Sequence, residues 1–268
     1  MKHRIFLLCL LAYAMGLLGC AVAIPVHEDD SSQTLGKDRW DIAMIGAVGP
    51  TEGPRNFPSG SAPNVADVIP EEFFGARVAW GIRENYDVEG ELGLSMFGGT
   101  VASLGIKHQW YGPSYFKARA GDSFSGMRFR YSTATGFADN PSTWSSTDSA
   151  SDIFGNGIFV DNMSAETLSI ANSWGHLLTD WFGVYAGLEA GMSNLRATLS
   201  DGGPTGTEYS DNRYTYFGGP LAGFSLHSTG ESVRVAWTFE LEYLSVPDTF
   251  TNGNTLALFD STGIHFAF

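Results

Sequence analysis

Charged side chains recur at alternate positions within stretches that are otherwise apolar or small. Arg77, Arg83, Glu89, Glu91, Lys107, Arg128, Arg130, Glu189, Arg234, Glu240 and Glu242 form this set. Within each stretch the charges share a parity with glycines and small polar residues, so a pleated strand puts them on one face. Acids and bases nearly match in number. On the inner face of a narrow barrel such groups meet across the lumen, where a buried charge persists only when paired and hydrogen-bonded. Two outcomes follow from that pairing. One is a polar network that closes the lumen. The other is a narrow channel whose opposing Arg and Glu rows set up a selective transverse field.

Nucleophile–base chemistry has weaker support. His108, His176, His227 and His265, with Ser173, Ser225 and Ser228, are the residue types that acyl transfer needs. No G-x-S-x-G elbow and no H-E-x-x-H or H-x-x-E-H zinc pattern occurs in the sequence. The expectation is that the chain is not an enzyme, with a lipid A or phospholipid acyl hydrolase or transferase as the alternative. Asp139, Asp148, Asp152, Asp161, Glu208 and Asp211 sit in presumed loops, but no D-x-D-x-D-G run joins them, so no metal or other cofactor is expected.

The elements that must position these groups read as strands. Approximate spans are 40–49, 73–84, 86–97, 100–110, 114–134, 164–174, 181–195, 213–227, 231–246 and 255–268. The fifth is too long and should break near Gly121-Asp122. In 181–195, Val184, Ala186, Leu188, Ala190 and Met192 oppose Gly183, Tyr185, Gly187, Glu189 and Ser193. In 231–246, Val233, Val235, Trp237, Phe239, Leu241 and Tyr243 oppose Ser232, Arg234, Thr238, Glu240 and Glu242. Short turns alternate with longer connections at 50–72, 135–163 and 196–212. That is how outer-membrane barrels are strung, with the short side periplasmic. The expected fold is therefore an all-β, antiparallel, up-and-down transmembrane barrel of about ten strands, with eight to twelve allowed.

The bulk numbers agree with this. Of 268 residues, 43% are apolar but only 16% charged, and 33 are Gly, a composition for closely packed strands and not for helices. The net charge of −14 disfavours contact with a phosphate backbone, which excludes nucleic acid as a partner. Lys2, His3 and Arg4 followed by the apolar run Ile5–Leu18 form an export signal. Two cuts compete. Ala21-Val22-Ala23 gives a signal peptide of 1–23. Leu17-Leu18-Gly19-Cys20 resembles a lipobox, which gives 1–19 and a lipid on Cys20. Residues 24–39 are polar and acidic and read as a periplasmic linker before the barrel at 40–268.

The chain ends Gly263-Ile264-His265-Phe266-Ala267-Phe268. A terminal strand finishing on an aromatic suits a barrel whose last strand pairs with its first. It also suits recognition by the barrel-assembly machinery. Trp40, Trp110, Tyr111, Trp174, Trp181 and Phe268 fall beside short turns or termini and predict a periplasmic aromatic girdle in contact with outer-membrane lipid.

The segment Leu177–Gly187 (LLTDWFGVYAG) resembles the turn-and-strand phrase common to Gram-negative outer-membrane barrels. Asn212–Gly219 (NRYTYFGG), running on to Phe224, resembles strands of the porin-like barrels abundant in planctomycetes, loosely related to Legionella-type major outer-membrane proteins. The resemblance covers roughly 72–268 as a pattern. It implies an integral outer-membrane location and a pore, and it brings no catalytic residue. The leading expectation is a structural or narrow pore-forming barrel with acidic extracellular loops. The alternative is a soluble barrel lipoprotein tethered through Cys20, whose apolar stripes line a ligand cavity. The two differ in whether Trp80, Leu188 and Trp237 point outward or inward.

Overall fold

The computed structural model describes residues 22–23, 31–52, 70–95, 99–136, 159–200, 208–248 and 253–268. Ten long strands form the wall: β1 (Trp40–Glu52), β2 (Pro70–Arg83), β3 (Tyr86–Ser95), β4 (Thr100–Tyr111), β5 (Ser123–Gly136), β6 (Phe159–Thr179), β7 (Phe182–Ser200), β8 (Glu208–His227), β9 (Arg234–Asp248) and β10 (Gly253–Ala267). Each is antiparallel to its sequence neighbour, and β10 pairs with β1 from Asp260↔Val48 to Ala267↔Asp41. The sheet is thus a closed ten-stranded barrel. The seam ends in two reciprocal bonds of 2.8 Å, Trp40 N–H to the Phe268 carbonyl and Phe268 N–H to the Trp40 carbonyl. Trp40 then stacks on Trp80 of β2.

The long fifth strand does break. Gly112 to Asp122 is a folded connection in which Lys117 and Ala118 both donate to the Ser114 carbonyl, and β5 starts only at Ser123. Gly112 and Gly121 both have φ of +88°, a backbone region that L side chains resist, so they bound the turn. The connections at the opposite end are shorter than the sequence pattern suggests, because β6, β7 and β8 run beyond the apolar stripe. Asp161, Glu208 and Asp211 consequently lie on strand backbone and not in loops. Asp139, Asp148 and Asp152 lie outside the described residues.

Alternation decides what each face meets. The outward positions of β7 are Val184, Ala186, Leu188, Ala190 and Met192, while Tyr185, Glu189 and Ser193 point in and are buried. Trp80, Leu188 and Trp237 are 38%, 57% and 42% exposed, against 0% for Glu240 and 1% for Arg128. The apolar face is outside and the polar face inside. This overturns the tethered soluble alternative, which requires apolar stripes around a central cavity.

Candidate functional site: the barrel interior

The side chains that the alternation gathers inside come from nearly every strand. Arg77 on β2, Glu89 and Glu91 on β3, Lys107 on β4, Arg128 and Arg130 on β5, Glu189 on β7, and Arg234, Glu240 and Glu242 on β9 all lie buried within the wall. Arg83 does not join them. A register shift between Gly81 and Arg83 breaks the parity at the end of β2 and leaves Arg83 exposed at the turn. Asp41, Asp87, Gln109 and His265 are buried inside as well and belong to the same lining, although the charge pattern alone did not single them out. Asp41 shares its face with Ala43, Ile45 and Ala47, so its strand looks apolar on both sides.

Two clusters organise the lining. In the first, Glu89 Oε1 is ion-paired with Arg128, whose Nε lies 2.9 Å away, and Arg130 Nη2 lies 3.9 Å away. Glu89 is on β3 and both arginines are on β5, so the contact reaches over β4. Gly105 makes this possible: a Cβ there would lie 2.6 Å from Glu89 Oε1. The second cluster crosses the seam. His265 Nδ1 on β10 lies 2.9 Å from Asp41 Oδ2 on β1, Arg77 NH2 on β2 lies 3.5 Å from the same oxygen, and His265 Nε2 lies 3.0 Å from Thr238 Oγ1 on β9. Four consecutive strands are tied together at the point where the barrel closes.

A hydroxyl–imidazole–carboxylate row is also the geometry of a nucleophile and its base. The surroundings differ from a hydrolase site. Arg77 NH2 is 3.3 Å from His265 Nδ1, and Thr238 lies in ladders with both β8 and β10, which engage the backbone donors that an oxyanion would need. The other candidates are dispersed. His108 stacks on Tyr86 on the outer face and meets Trp110 edge-on, and His176 bonds Ser123. His227 packs against Tyr115, and the Ser228 hydroxyl accepts from Val235 N–H.

The interior also holds a peptide. Residues 24–39 read as a linker, but Ser31 to Gly36 are buried inside the short-turn end of the barrel. The wall grips this segment largely by its backbone. Lys107 Nζ donates to the Ser31 carbonyl (3.1 Å), and Ser32 N–H donates to Ser173 Oγ (2.9 Å). Thr34 N–H donates to Gln109 Oε1 (2.8 Å), and Leu35 N–H to Asp87 Oδ2 (2.8 Å). A Cβ on Gly81 would lie 1.8 Å from the Gly36 carbonyl oxygen, so the wall is cut to the segment's shape. The composition misleads here because Ser-Ser-Gln-Thr suits a polar lumen as well as it suits water.

The connection from Gly112 to Asp122 seals the mouth over this segment. Tyr115 N–H donates to the Thr34 carbonyl, and Phe116 packs with Leu35, Ala79 and Ala267. Arg234 donates to the carbonyls of Tyr115, Phe116 and Gly230. On the rim, the Ser114 hydroxyl and then the Lys117 ammonium hold the Glu84 carboxyl below its ordinary range. That anchor persists above the ordinary carboxylate pKa and is lost as pH falls through the lowered one. Beneath the cap is a cavity of about 40 Å³ lined by Ser31, Gln33, Asp41, Ser225, Thr238 and His265 among others.

Trp40, Trp110, Tyr111, Trp174, Trp181 and Phe268 are exposed around the short-turn end. Cys20 and the cut before it lie outside the described residues, as does Ile24, which follows the other cut.

No family model matches the chain, and no curated protein matches it in sequence. Among solved structures it is similar to the outer membrane protein OprG from Pseudomonas aeruginosa, at 9% identity and a TM-score of 0.32, covering 89% of this chain and 99% of that one. The N-terminal β-barrel domain of Pseudomonas aeruginosa OprF gives 9% and 0.28, covering 87% and 99%. Neisserial surface protein A gives 10% and 0.33, covering 85% and 95%.

Two outcomes test the interior. Ser32 Oγ and Ser173 Oγ are 2.8 Å apart, so the double variant Ser32→Cys, Ser173→Cys should form a disulfide that shifts the band on a non-reducing gel. Glu89→Ala leaves two buried guanidiniums without the carboxylate between them. It should destabilise the folded barrel by about 3–5 kcal/mol, read from the denaturant midpoint of the folded band.

Proposed function

We propose that this protein is an integral outer-membrane barrel with a closed lumen, a structural component of the envelope that carries its longer connections on the outer surface. The observation behind the reading is the inversion of its two faces. Apolar side chains cover the outside in stripes such as Val184 to Met192, the length a tilted strand needs to cross hydrocarbon, about 9–11 residues. The same inversion makes outer-membrane lipid its first partner. The strand ending at Phe268 presents Ile264, Phe266 and Phe268 outward, which supports recognition by the barrel-assembly machinery. With the short turns periplasmic, the exposed Trp ring falls at the inner interface, where amphipathic rings settle.

Closure is favoured over a channel by accessibility. The wall of a water-filled pore is touched by water along its length. Here Arg77, Arg128, Arg130, Glu240 and Glu242 are at most 2% exposed, and Ser31–Gly36 fills the mouth below them. Such a lumen conducts nothing in this state and contributes rigidity. The same burial speaks against a catalytic use of Thr238 and His265, since an acyl substrate has no route to them.

The test is a heat-modifiability gel on the outer-membrane fraction, followed by planar-bilayer recording. The unboiled and boiled protein should migrate differently, and the purified barrel should give no steady conductance. Absence from that fraction would sink the location, and regular conductance steps would sink the closed lumen. Leu188→Arg places a charge on the lipid face at a cost of about 2–4 kcal/mol near the midplane. It should abolish or sharply reduce the heat-modifiable band.

A further inference from the structure

The direction of the buried segment carries a consequence for where the chain begins its path. Gly36 sits at the short-turn mouth, its carbonyl against Gly81. Thr34 reaches the Glu84 carbonyl in the turn itself. Ser31 lies deeper, held by Lys107, four residues inside the end of β4. Followed backwards from Gly36 to Ser31, the chain climbs into the barrel, away from the short turns. A second observation lies at the other end. Val22 and Ala23 pair antiparallel with Glu52 and Thr51, the last two residues of β1. β1 starts at the short-turn end with Trp40, so its last residues mark the long-connection end.

Eight Cα steps separate Ala23 from Ser31, which reach at most about 29 Å. A route outside the wall has to descend the height of β1, about 30 Å for a strand tilted near 40°. It must then pass under the rim and climb again to Lys107. Eight steps are too few for that path.

We infer that, in the chain cut before Cys20, which keeps Val22 and Ala23, the segment preceding Trp40 threads the barrel from the long-connection end to the short-turn end, so that its N-terminal end is presented on the cell surface. The word surface rests on the orientation proposed above; the threading does not. The segment is then no periplasmic tether. It is a strap through the lumen whose free end, with any group attached to it, stands beside the outer connections. A partner that reaches the N-terminus of the folded barrel has to come from outside the cell.

The experiment places one epitope between Ala23 and Ile24, where it stays on the mature chain whichever leader cut is used. Two companion strains carry it in the 228–230 turn and in the 137–158 connection. Antibody should bind intact cells carrying the N-terminal or 137–158 epitope as strongly as lysed ones, and should bind the 228–230 epitope only after lysis. An N-terminal epitope that behaves like the 228–230 one overturns the inference. If no epitope is reached on intact cells, the orientation fails and the threading is read separately. For that, and in case the insertion blocks folding, Ala23→Cys with Thr51→Cys should form a disulfide in a chain whose residues 1–20 are replaced by a leader cut before Ala21, so that residue 23 stays on the mature protein. Failure to form it, in a barrel where the Ser32→Cys, Ser173→Cys disulfide forms, overturns the threading.

Discussion

Edge removal is the constraint from which the rest follows. A strand at the border of a sheet presents unpaired N–H and carbonyl groups, and closing the sheet on itself is the one arrangement that leaves none. Here closure falls to the β10–β1 seam. The backbone ladder does not act there alone. Asp41, Arg77, Thr238 and His265 stitch four neighbouring strands from the inside, and Trp40 at the seam stacks outside on Trp80 of the next strand, β2. Closing the barrel also fixes its radius, and the radius fixes what the interior can hold.

An eight-stranded barrel is just wide enough for its own side chains to fill it, and diameter grows with strand number. Ten strands leave room to spare. Two devices use that space. Long Arg and Glu side chains reach across intervening strands, as Glu89 reaches over Gly105 to Arg128. At the short-turn end, where a peptide fits, Ser31–Gly36 takes the remaining volume and exchanges backbone hydrogen bonds with the wall. Both devices obey one rule, that a polar group withdrawn from water must find its partner in the protein. The mixed-sign lining and the buried peptide are therefore two answers to a single packing problem.

Much of this was legible in the sequence because a period of two is hard to disguise. The alternation in 181–195 and 231–246 assigns a face to each residue, and the structure keeps those faces over 183–193 and 234–243, while Ser232 lies exposed before the strand begins. Legibility failed where the period was interrupted or the environment was ambiguous. Arg83 follows a bulge that no local signal announces. The Gly112–Asp122 connection is rich in aromatics and reads as strand until its two positive-φ glycines are seen. Asp41 is hidden among small apolar neighbours, and His265 looks like a rim residue until the seam brings Asp41 to it across 224 positions. Residues 31–36 were misread for a deeper reason. Composition reports whether a segment prefers polar surroundings, and the inside of this barrel is polar.

The buried segment also constrains how the barrel is made. Ser31–Gly36 bonds to groups on β3, β4 and β6, and it lies inside a wall that is complete only when β10 meets β1. A segment that passes through a closed ring cannot be threaded sideways afterwards, because the wall ladders would have to open. Its partners Asp87 and Gln109 precede the seam strand β10 by more than a hundred residues, so the segment can settle against the half-formed sheet first. Once the leader is cut the segment has a free end, so it can also enter lengthwise through the short-turn mouth without opening the wall. In either order Asp87 and Gln109 offer it the same polar contacts on the concave face.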